Sequence, residues 1–231
     1  MKKETKMDEL RIDNLYDLNE TIAHEFMKTA EYPWELLPRI KDFVKKLGAT
    51  LSPEIFEQRD EYIWIAKSAT IAPTALINGP CIIDENVEIR HCAFIRGSAI
   101  IGKNVVVGNS TELKNVILFN CVQVPHFNYV GDSILGYRSH MGAGSITCNV
   151  KSDKSLCKLR LEDKEIETGL KKVGSMIGDY VEVGSNTVLN PYTVIGRNTS
   201  IYPLSVVRGY VSPESIYKKQ GEVVGRDLDF K

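Results

Sequence analysis

A run of aliphatic and aromatic residues recurs at every sixth position through the middle of the chain. Ten consecutive members of this series are Ile, Val, Leu or Phe: positions 65, 71, 77, 83, 89, 95, 101, 107, 113 and 119. At the overall hydrophobic frequency of 43%, such a run would arise by chance with a probability of about two in ten thousand. A second series follows the same period at 177, 183, 189, 195, 201 and 207. This repeat constrains the fold more than any other feature.

A period of six fits neither an α-helix nor a plain amphipathic strand, but it fits short strands that are joined by tight corners into a triangular prism. The fourth residue after each aliphatic is mostly small, as a corner requires: Ala69, Ala75, Cys81, Val87, Ala93, Ala99, Val105 and Thr111. With three hexads per coil, residues 18 apart stack at roughly 4.8 Å. The sequence therefore predicts an all-β solenoid, a parallel β-helix of hexapeptide repeats. By resemblance, such coils are left-handed, an exception to the usual crossover rule.

The chain before the repeat carries a helical pattern. Trp34, Leu37 and Val44 recur at helical spacing, and Gly48 marks a stop. We expect a short α-helical N-terminal region over 1–60, a β-helix over 61–212 with an inserted loop at about 150–173, and a C-terminal tail over 213–231. All 17 glycines occur from Gly48 onward, and we expect the corners and a ligand-binding turn of the solenoid to need them.

Composition excludes several classes of protein. With 29 basic and 30 acidic residues the net charge is -1, so no overall field attracts nucleic acid or an anionic membrane. The five cysteines form no CxxC pair, which argues against a disulfide framework, and no metal site is predicted. No stretch approaches the roughly 20 apolar residues that span a bilayer, and the polar start is unlike a signal peptide. We expect a cytoplasmic protein.

Two basic residues occupy equivalent places on adjacent coils. Arg96 follows Ile95, Lys114 follows Leu113, and the two cations are 18 residues apart, so both are expected at one edge of the prism. Two cations a few ångströms apart repel each other unless an anion lies between them. A phosphate suits the planar fork of Arg and the point charge of Lys. A solvated pair that Glu112 neutralises is the alternative.

A histidine follows where the period of six breaks. His126 lies beside Pro125 and close to Tyr129. Because imidazole titrates near neutral pH, it can act as a general base or acid. A single histidine is also often structural, so its interest comes from lying a dozen residues beyond the cation pair.

The stretch from Arg96 to Asn149 resembles the acetyltransferase half of the bifunctional enzyme that acetylates glucosamine-1-phosphate and then makes UDP-N-acetylglucosamine. The likeness rests on FIRGSAIIGKNVVVGNSTELKNV, VPHFNYVGDSILG and MGAGSITCN. The later KEIETGLKKVGSMIGDYVEVGSN resembles the loop and return strand of archaeal-type versions. The resemblance implies acetyl-CoA as co-substrate, an amino sugar phosphate as acceptor, and a homotrimer with its sites between neighbouring prisms.

The resemblance also implies roles for individual residues. His126 matches the base that deprotonates the sugar amine as it attacks acetyl-CoA. The other matched positions are Arg96, Lys114 and Tyr129 for the sugar phosphate, Asn149 and Lys154 for the substrate, Ala143 and Ser185 for the pantetheine arm, and Arg208, Lys218 and Lys219 for the coenzyme's phosphates. An unremarkable basic tail explains the last group equally well. The oxyanion needs donors, for which the N–H groups of Gly142, Ala143 and Gly144 are candidates.

The sequence departs from the family pattern in two places. His140 stands where bacterial members usually carry an asparagine that contacts the sugar, a change that reshapes substrate choice or marks lost activity. Residues 1–47 contain no glycine, so no glycine-rich loop there can bind a nucleoside triphosphate. We therefore expect no uridyl transfer by this chain alone.

Three functions remain open. The first is an acetyl-CoA-dependent N-acetyltransferase that acts on an amino sugar 1-phosphate or a related nucleotide sugar. The second is a non-catalytic, sugar-phosphate-binding regulatory homologue whose helical N-terminus docks a partner. The third is a β-helical carbonic anhydrase, which needs three histidines on zinc. His91 and His126 have a suitable spacing, but a nearby third ligand is missing because His140 lies 14 residues further on.

Overall fold

The computed structural model describes residues 6–161, 164–225 and 227, and its centre is a solenoid of about eight coils. The first five residues of the expected helical region, and residues 226 and 228–231 of the expected tail, lie outside the described residues. Every coil-to-coil strand pair is parallel, and each inward aliphatic stacks on its counterpart in the next coil. The prediction of a left-handed parallel β-helix is confirmed.

The solenoid has three sides, which we number in chain order. Side 1 contains Ile63–Ala66, Cys81–Ile83, Ala99–Ile101, the second halves of Glu112–Leu118 and Tyr129–Leu135, Ser175–Ile177, Thr193–Ile195 and Tyr210–Val211. Side 2 contains Thr70–Ile71, Glu88–Ile89, Val106–Asn109, Gln123–His126, His140–Met141, Glu182–Val183, Ser200–Ile201 and Ser215–Lys219. Side 3 contains Leu76–Ile77, Phe94–Ile95, the first halves of Glu112–Leu118 and Tyr129–Leu135, Ile146–Thr147, Val188–Leu189 and Val206–Val207.

Three further strand segments leave this regular winding. Phe56–Asp60 pairs antiparallel with the first strand of side 1. Lys158–Leu161 and Lys164–Glu167 form an antiparallel hairpin inside the inserted loop. Glu222–Gly225 folds back antiparallel on Ser215–Lys219.

Side 1 differs from the other two sides because its strands are buried on both faces. The residue before the inward aliphatic points outward, and on side 1 this residue is apolar and buried in successive coils: Trp64, Ile82, Ile100, Ile117, Ile134, Met176 and Val194. An apolar outer row cannot face water over seven coils without a large cost in free energy. Another part of the chain must cover it.

The helical N-terminal region supplies that cover. Its α-helices are Ile12–Leu15, His24–Met27 and Ile40–Gly48, and its 3-10 helices are Asp8–Leu10, Leu18–Glu20 and Pro33–Arg39. Tyr16 packs on Phe119 with ring centroids 5.1 Å apart, and Trp34 meets the Tyr192 ring edge-on at 5.0 Å. The apolar residues of this region therefore contact the chain's own solenoid. None of the described helices is long and apolar enough to cross a membrane.

The period of six breaks earlier than the sequence indicated. Leu113 pairs with Ile95, 18 positions before it, but Val116 pairs with Ala99, 17 positions before it. One residue is thus missing from this coil, and Leu118, not Phe119, stacks on Ile101. The expectation that Phe119 is the tenth inward residue was wrong, because the lost residue turns its side chain outward toward Tyr16.

Only some corners use glycine: Gly97, Gly144 and Gly209 have positive φ there, so our expectation holds for a minority of corners. Asparagine occupies several of the left-handed corner positions, with φ between 55° and 57° at Asn86, Asn104, Asn186 and Asn198. Glycine is instead common directly after the inward aliphatic. A Cβ there would lie within 3 Å of the neighbouring coil at Gly102, Gly108, Gly136, Gly142, Gly178, Gly184 and Gly196. Close approach of the coils is therefore the main reason for glycine in the solenoid.

We expect Gly108→Ala to lower the free energy of unfolding by about 3 kcal/mol, because a Cβ at this position would lie 1.5 Å from the carbonyl oxygen of Pro125. Gly225→Ala is the matched control, since no atom lies within 4 Å of its added Cβ. Urea unfolding followed by circular dichroism measures both. Equal stability of the two variants would contradict the close-approach explanation.

A buried carboxylate joins the helical region to the solenoid. Asp179 accepts hydrogen bonds from the backbone N–H groups of Asp17 at 2.7 Å and Tyr137 at 2.8 Å, and it pairs with Arg197 at 2.7 Å. Burial raises the pKa of Asp179 to about 6 in spite of these partners. This side chain therefore holds three separate segments of the chain together.

Asp179→Ala leaves two N–H groups and Arg197 without their acceptor, so we expect a loss of about 2 to 4 kcal/mol in unfolding free energy. The pKa of Asp179 is about 6 in the folded chain, above its ordinary value of 3.8. Between these two pH values the folded chain therefore binds a proton that the unfolded chain does not. This contribution to stability therefore grows as the pH falls from 7.5 to 5, by about 1 kcal/mol. Asp13→Ala, at an exposed helical position, is the control. Thermal melts of the three proteins at both pH values check the prediction, and an unaltered Asp179→Ala melt would refute it.

Candidate active site

Charged side chains gather where side 3 turns into side 1. The pairing of Leu113 with Ile95 places Lys114 beside Arg96 on the next coil, as their spacing predicted. Each cation has a carboxylate partner, since Arg96 pairs with Glu112 at 2.7 Å and Lys114 pairs with Asp132 at 2.9 Å. We call Arg96, Glu112, Lys114, Tyr129, Asp132 and Asn149 the cation corner.

Asp132 is the shared hydrogen-bond acceptor of this corner. It is buried, and besides Lys114 it accepts hydrogen bonds from the side-chain amides of Asn115 at 2.8 Å and Asn149 at 2.5 Å. The Asn149 amide also donates to the Tyr129 hydroxyl at 3.2 Å. Partial burial, with Asp132 and Glu112 nearby, raises the pKa of Tyr129. The structure thus brings Arg96, Lys114, Tyr129 and Asn149 together, and the sequence analysis missed Asp132 although it lies in the VPHFNYVGD motif.

The two ion pairs of the cation corner differ in how firmly they are held. The Glu112 side chain is 33% exposed and that of Asp132 is 5% exposed. An exposed pair exchanges its partner for another anion at little cost, whereas a buried carboxylate with several donors stays in place. Arg96 is therefore the cation that an incoming anion can recruit, with Lys114 held in position beside it.

A second group lies at the corner where side 2 turns into side 3. His126, Ala143 and Ser185 each stand two places after the inward aliphatic of side 2, on three successive coils. The N–H of Gly144 donates to the carbonyl of His126 at 3.0 Å, and that of Gly142 donates to Val183 at 2.7 Å. Of the three expected oxyanion donors, only the Ala143 N–H has no hydrogen-bond partner among the described residues.

A buried asparagine joins the His126 coil to the glycine turn above it. The side-chain carbonyl of Asn128 accepts from the His126 backbone N–H at 3.1 Å. Its amide donates to the carbonyls of Gly142 at 2.9 Å and Ser145 at 3.1 Å. Asn128 therefore fixes the spacing between the exposed His126 and the Ala143 N–H, a role that no sequence signal revealed.

The remaining predicted residues lie outside these two groups. His140 begins the strand His140–Met141 on side 2, and its Nδ1 contacts Glu182 at 2.8 Å. Lys154 belongs to the inserted loop, and its backbone N–H bonds Lys151. Arg208 is exposed directly after the last strand of side 3. Lys218 and Lys219 both contact Glu222, at 3.8 and 3.1 Å.

Two of the histidines considered for a zinc site, His91 and His126, lie in one row of the solenoid. His91 is two coils before His126 at the same corner, and Asn109 stands between them. The ring of His91 contacts Thr74 Oγ1 at 2.7 Å and Cys92 Sγ at 3.2 Å. In the described parts of the chain, no group of three His, Cys, Asp or Glu side chains is placed to hold a metal ion.

The fold and the paired corners define a hexapeptide-repeat β-helix protein. Residues 77–195 match the family model described as the GMPPB C-terminal domain, and the chain belongs to this family. The bifunctional protein GlmU of Methanococcus maripaludis is 31% identical over 195 residues, which cover 84% of this chain and 47% of that protein. A bifunctional sugar-1-phosphate nucleotidylyltransferase/acetyltransferase of Sulfurisphaera tokodaii is 31% identical over 150 residues, which cover 57% of this chain and 37% of that protein. The resemblance drawn from the sequence is confirmed.

The matched segments cover less than half of both curated relatives. Among solved structures, the N-acyltransferase AntD from Bacillus cereus shares 17% identity at a TM-score of 0.33, over 75% of this chain and 92% of that chain. The acetyltransferase domain of PglB from Neisseria gonorrhoeae shares 13% identity at a TM-score of 0.28, over 67% of this chain and 54% of that chain.

Proposed function

We propose that this chain is an acetyl-CoA-dependent N-acetyltransferase that acts on an amino sugar carrying an anomeric phosphate, either a 1-phosphate of the glucosamine-1-phosphate type or a nucleotide sugar. One observation carries the proposal. His126 and the Ala143 N–H, which has no partner among the described residues, lie on adjacent coils at one end of side 3, and a pair of cations lies at its other end. Tyr129, three residues after His126, reaches the cation corner, so a small substrate lying along side 3 can contact both ends.

In the proposed acyl transfer, His126 acts as the base and the Ala143 N–H as the oxyanion donor. Acetyl-CoA supplies the acetyl group as a thioester. An ammonium cannot attack a thioester, so the imidazole of His126 takes a proton from the sugar amine, and the amine nitrogen forms a bond to the carbonyl carbon. The Ala143 N–H donates to the oxygen on which negative charge develops. When the carbon–sulfur bond breaks, the proton passes from His126 to the departing thiolate.

The other proposed contacts follow the same geometry. Arg96 and Lys114 bind the sugar phosphate, and Arg96 exchanges Glu112 for the ligand. Asn149 and Tyr129 orient the sugar, and Ser185, one coil beyond Ala143, contacts the pantetheine arm. Roles for His140 and Lys154 in the substrate site, and for Lys218 at the coenzyme's phosphates, stay predictions of the resemblance.

We expect His126→Ala to lower kcat for thiol release from acetyl-CoA with glucosamine-1-phosphate or UDP-glucosamine as acceptor by at least about 100-fold, because the general base is lost. His24→Ala, at an exposed position in the helical region, serves as control and should leave kcat unchanged. A colorimetric thiol assay measures both. Unaltered turnover in His126→Ala would overturn the proposal and favour the regulatory, sugar-phosphate-binding alternative.

The outer face of side 3 supports the proposal of a homotrimer. Its outward residues include Leu76 at 56% and Val206 at 57% exposure, with Phe94, Ile146 and Val188 partly buried. Glu112 and Tyr129 of the cation corner interrupt this apolar row. Side 1 is covered by the helical region, and the outward residues of side 2 are mostly polar. A largely apolar, uncovered side suits a closed ring of identical copies, in which the apolar parts of side 3 are buried and the substrate site lies between neighbours.

We expect the protein to be a trimer in solution and the double variant Leu76→Glu/Val206→Glu to be a monomer, since two buried carboxylates per interface are unpaired. Light scattering after gel filtration gives the mass. Gln123→Glu, on the polar outer face of side 2, is the matched control and should stay trimeric. A monomeric wild-type protein would refute the proposed assembly.

A further inference from the structure

The inserted loop forms one wall of an open cavity beside the last coils of the solenoid. Its volume is about 900 Å³, which is within the range of sites that hold small organic ligands. The loop and its hairpin contribute one wall, which includes Lys151 and Lys158. The corner between sides 3 and 1 contributes the other wall, which includes Asn190, Arg208 and Tyr210.

The cavity adjoins the cation corner. Cys148 and Val150 line it, and Asn149, which lies between them, bonds Asp132 and Tyr129. Coil stacking explains this proximity, because Lys114 and Cys148 each follow an inward residue of side 3 and lie two coils apart. At one strand spacing per coil, this separation is about 10 Å. Arg208 lies two coils beyond Cys148 in the same row, so its backbone is about 19 Å from that of Lys114.

The charges of the cavity leave one cation without a partner. Lys151 pairs with Asp153 at 3.6 Å, and Lys158 pairs with Glu165 at 3.2 Å. Arg208 is exposed and forms no ion pair with any residue in the described ranges. A guanidinium without a carboxylate in a concave site can stack on a nucleobase or donate hydrogen bonds to its carbonyl oxygens.

The cavity also offers an aromatic surface that is held in place. The hydroxyl of Tyr210 donates to the carboxylate of Glu9 in the helical region, which fixes the ring. On the adjoining coil, the Asn190 amide donates to the carbonyl of Val207 at 3.0 Å, directly before Arg208. An aromatic ring and a guanidinium that line one cavity can both stack on a nucleobase.

Resting on the proposed function, we infer that the acceptor is a nucleotide-linked amino sugar whose nucleoside occupies this cavity. A sugar 1-phosphate ends at the cation corner and leaves the cavity unused. A nucleoside diphosphate whose phosphates lie at Arg96 and Lys114 extends past Asn149 into the cavity, where the Arg208 side chain meets its base. Arg208, which the resemblance assigned to the coenzyme's phosphates, lies one prism side away from the row of Ala143 and Ser185 and serves the acceptor instead.

Isothermal titration of the full chain with UDP, GDP, dTDP, glucosamine-1-phosphate and acetyl-CoA tests this assignment. We expect at least one of the three nucleotides to bind at least ten times more tightly than glucosamine-1-phosphate. Arg208→Ala should weaken that nucleotide at least tenfold and leave the Kd values of glucosamine-1-phosphate and acetyl-CoA within twofold. Lys67→Ala, an exposed cation at the other end of the solenoid, should change none of them.

The outcomes separate the inference from the proposed function. If no nucleotide binds more tightly than glucosamine-1-phosphate, or if Arg208→Ala weakens acetyl-CoA and spares the nucleotide, the cavity does not hold the acceptor's nucleoside. Thiol release with glucosamine-1-phosphate would then leave the proposed function standing. If a nucleotide binds through Arg208 but no amino sugar derivative releases thiol from acetyl-CoA, the transferase proposal fails and the nucleotide site stands.

Discussion

The stacking of one branched aliphatic per side on its counterpart in the next coil is the interaction on which the rest of this molecule depends. Ile65, Ile83 and Ile101 show it on side 1, where each is buried and paired in register with the next. Removing such side chains from water contributes about 2 kcal/mol each. The close approach that this packing requires explains why a Cβ at Gly108 would collide with Pro125. The repeat thereby sets both the stability of the solenoid and its limits.

Stacking also turns sequence spacing into functional geometry. Residues at the same place in successive coils form a row, so Arg96 and Lys114 meet at one corner and His126, Ala143 and Ser185 line another. The site is built from corners because the sides are occupied by inward aliphatics and by their outward neighbours. A solenoid can therefore change its ligand by changing corner residues and inserted loops without repacking its core.

Buried carboxylates connect these rows to the parts of the chain that are not repeats. Asp132 holds Lys114 and Asn149, and its partner Asn115 also donates to the carbonyl of Leu37 in the helical region at 3.2 Å. Asp179 binds Asp17 in the same region. The helical region thus does more than cover an apolar side, because it shares hydrogen bonds with the coils that carry the cation corner.

The sequence alone was enough to establish the β-helix and the meeting of Arg96 with Lys114, because the period of six is unbroken from Ile65 to Leu113 and geometry follows from it directly. The apolar residue before each inward aliphatic of side 1 is a further sequence signal, and it indicates that this side is covered. The tertiary structure decided what the period could not. The residue lost before Val116 turned Phe119 outward, and Asp132 became the centre of the cation corner. The inserted loop formed one wall of a cavity that Arg208 lines. These features depend on contacts between residues far apart in the chain, for which a local repeat carries no signal.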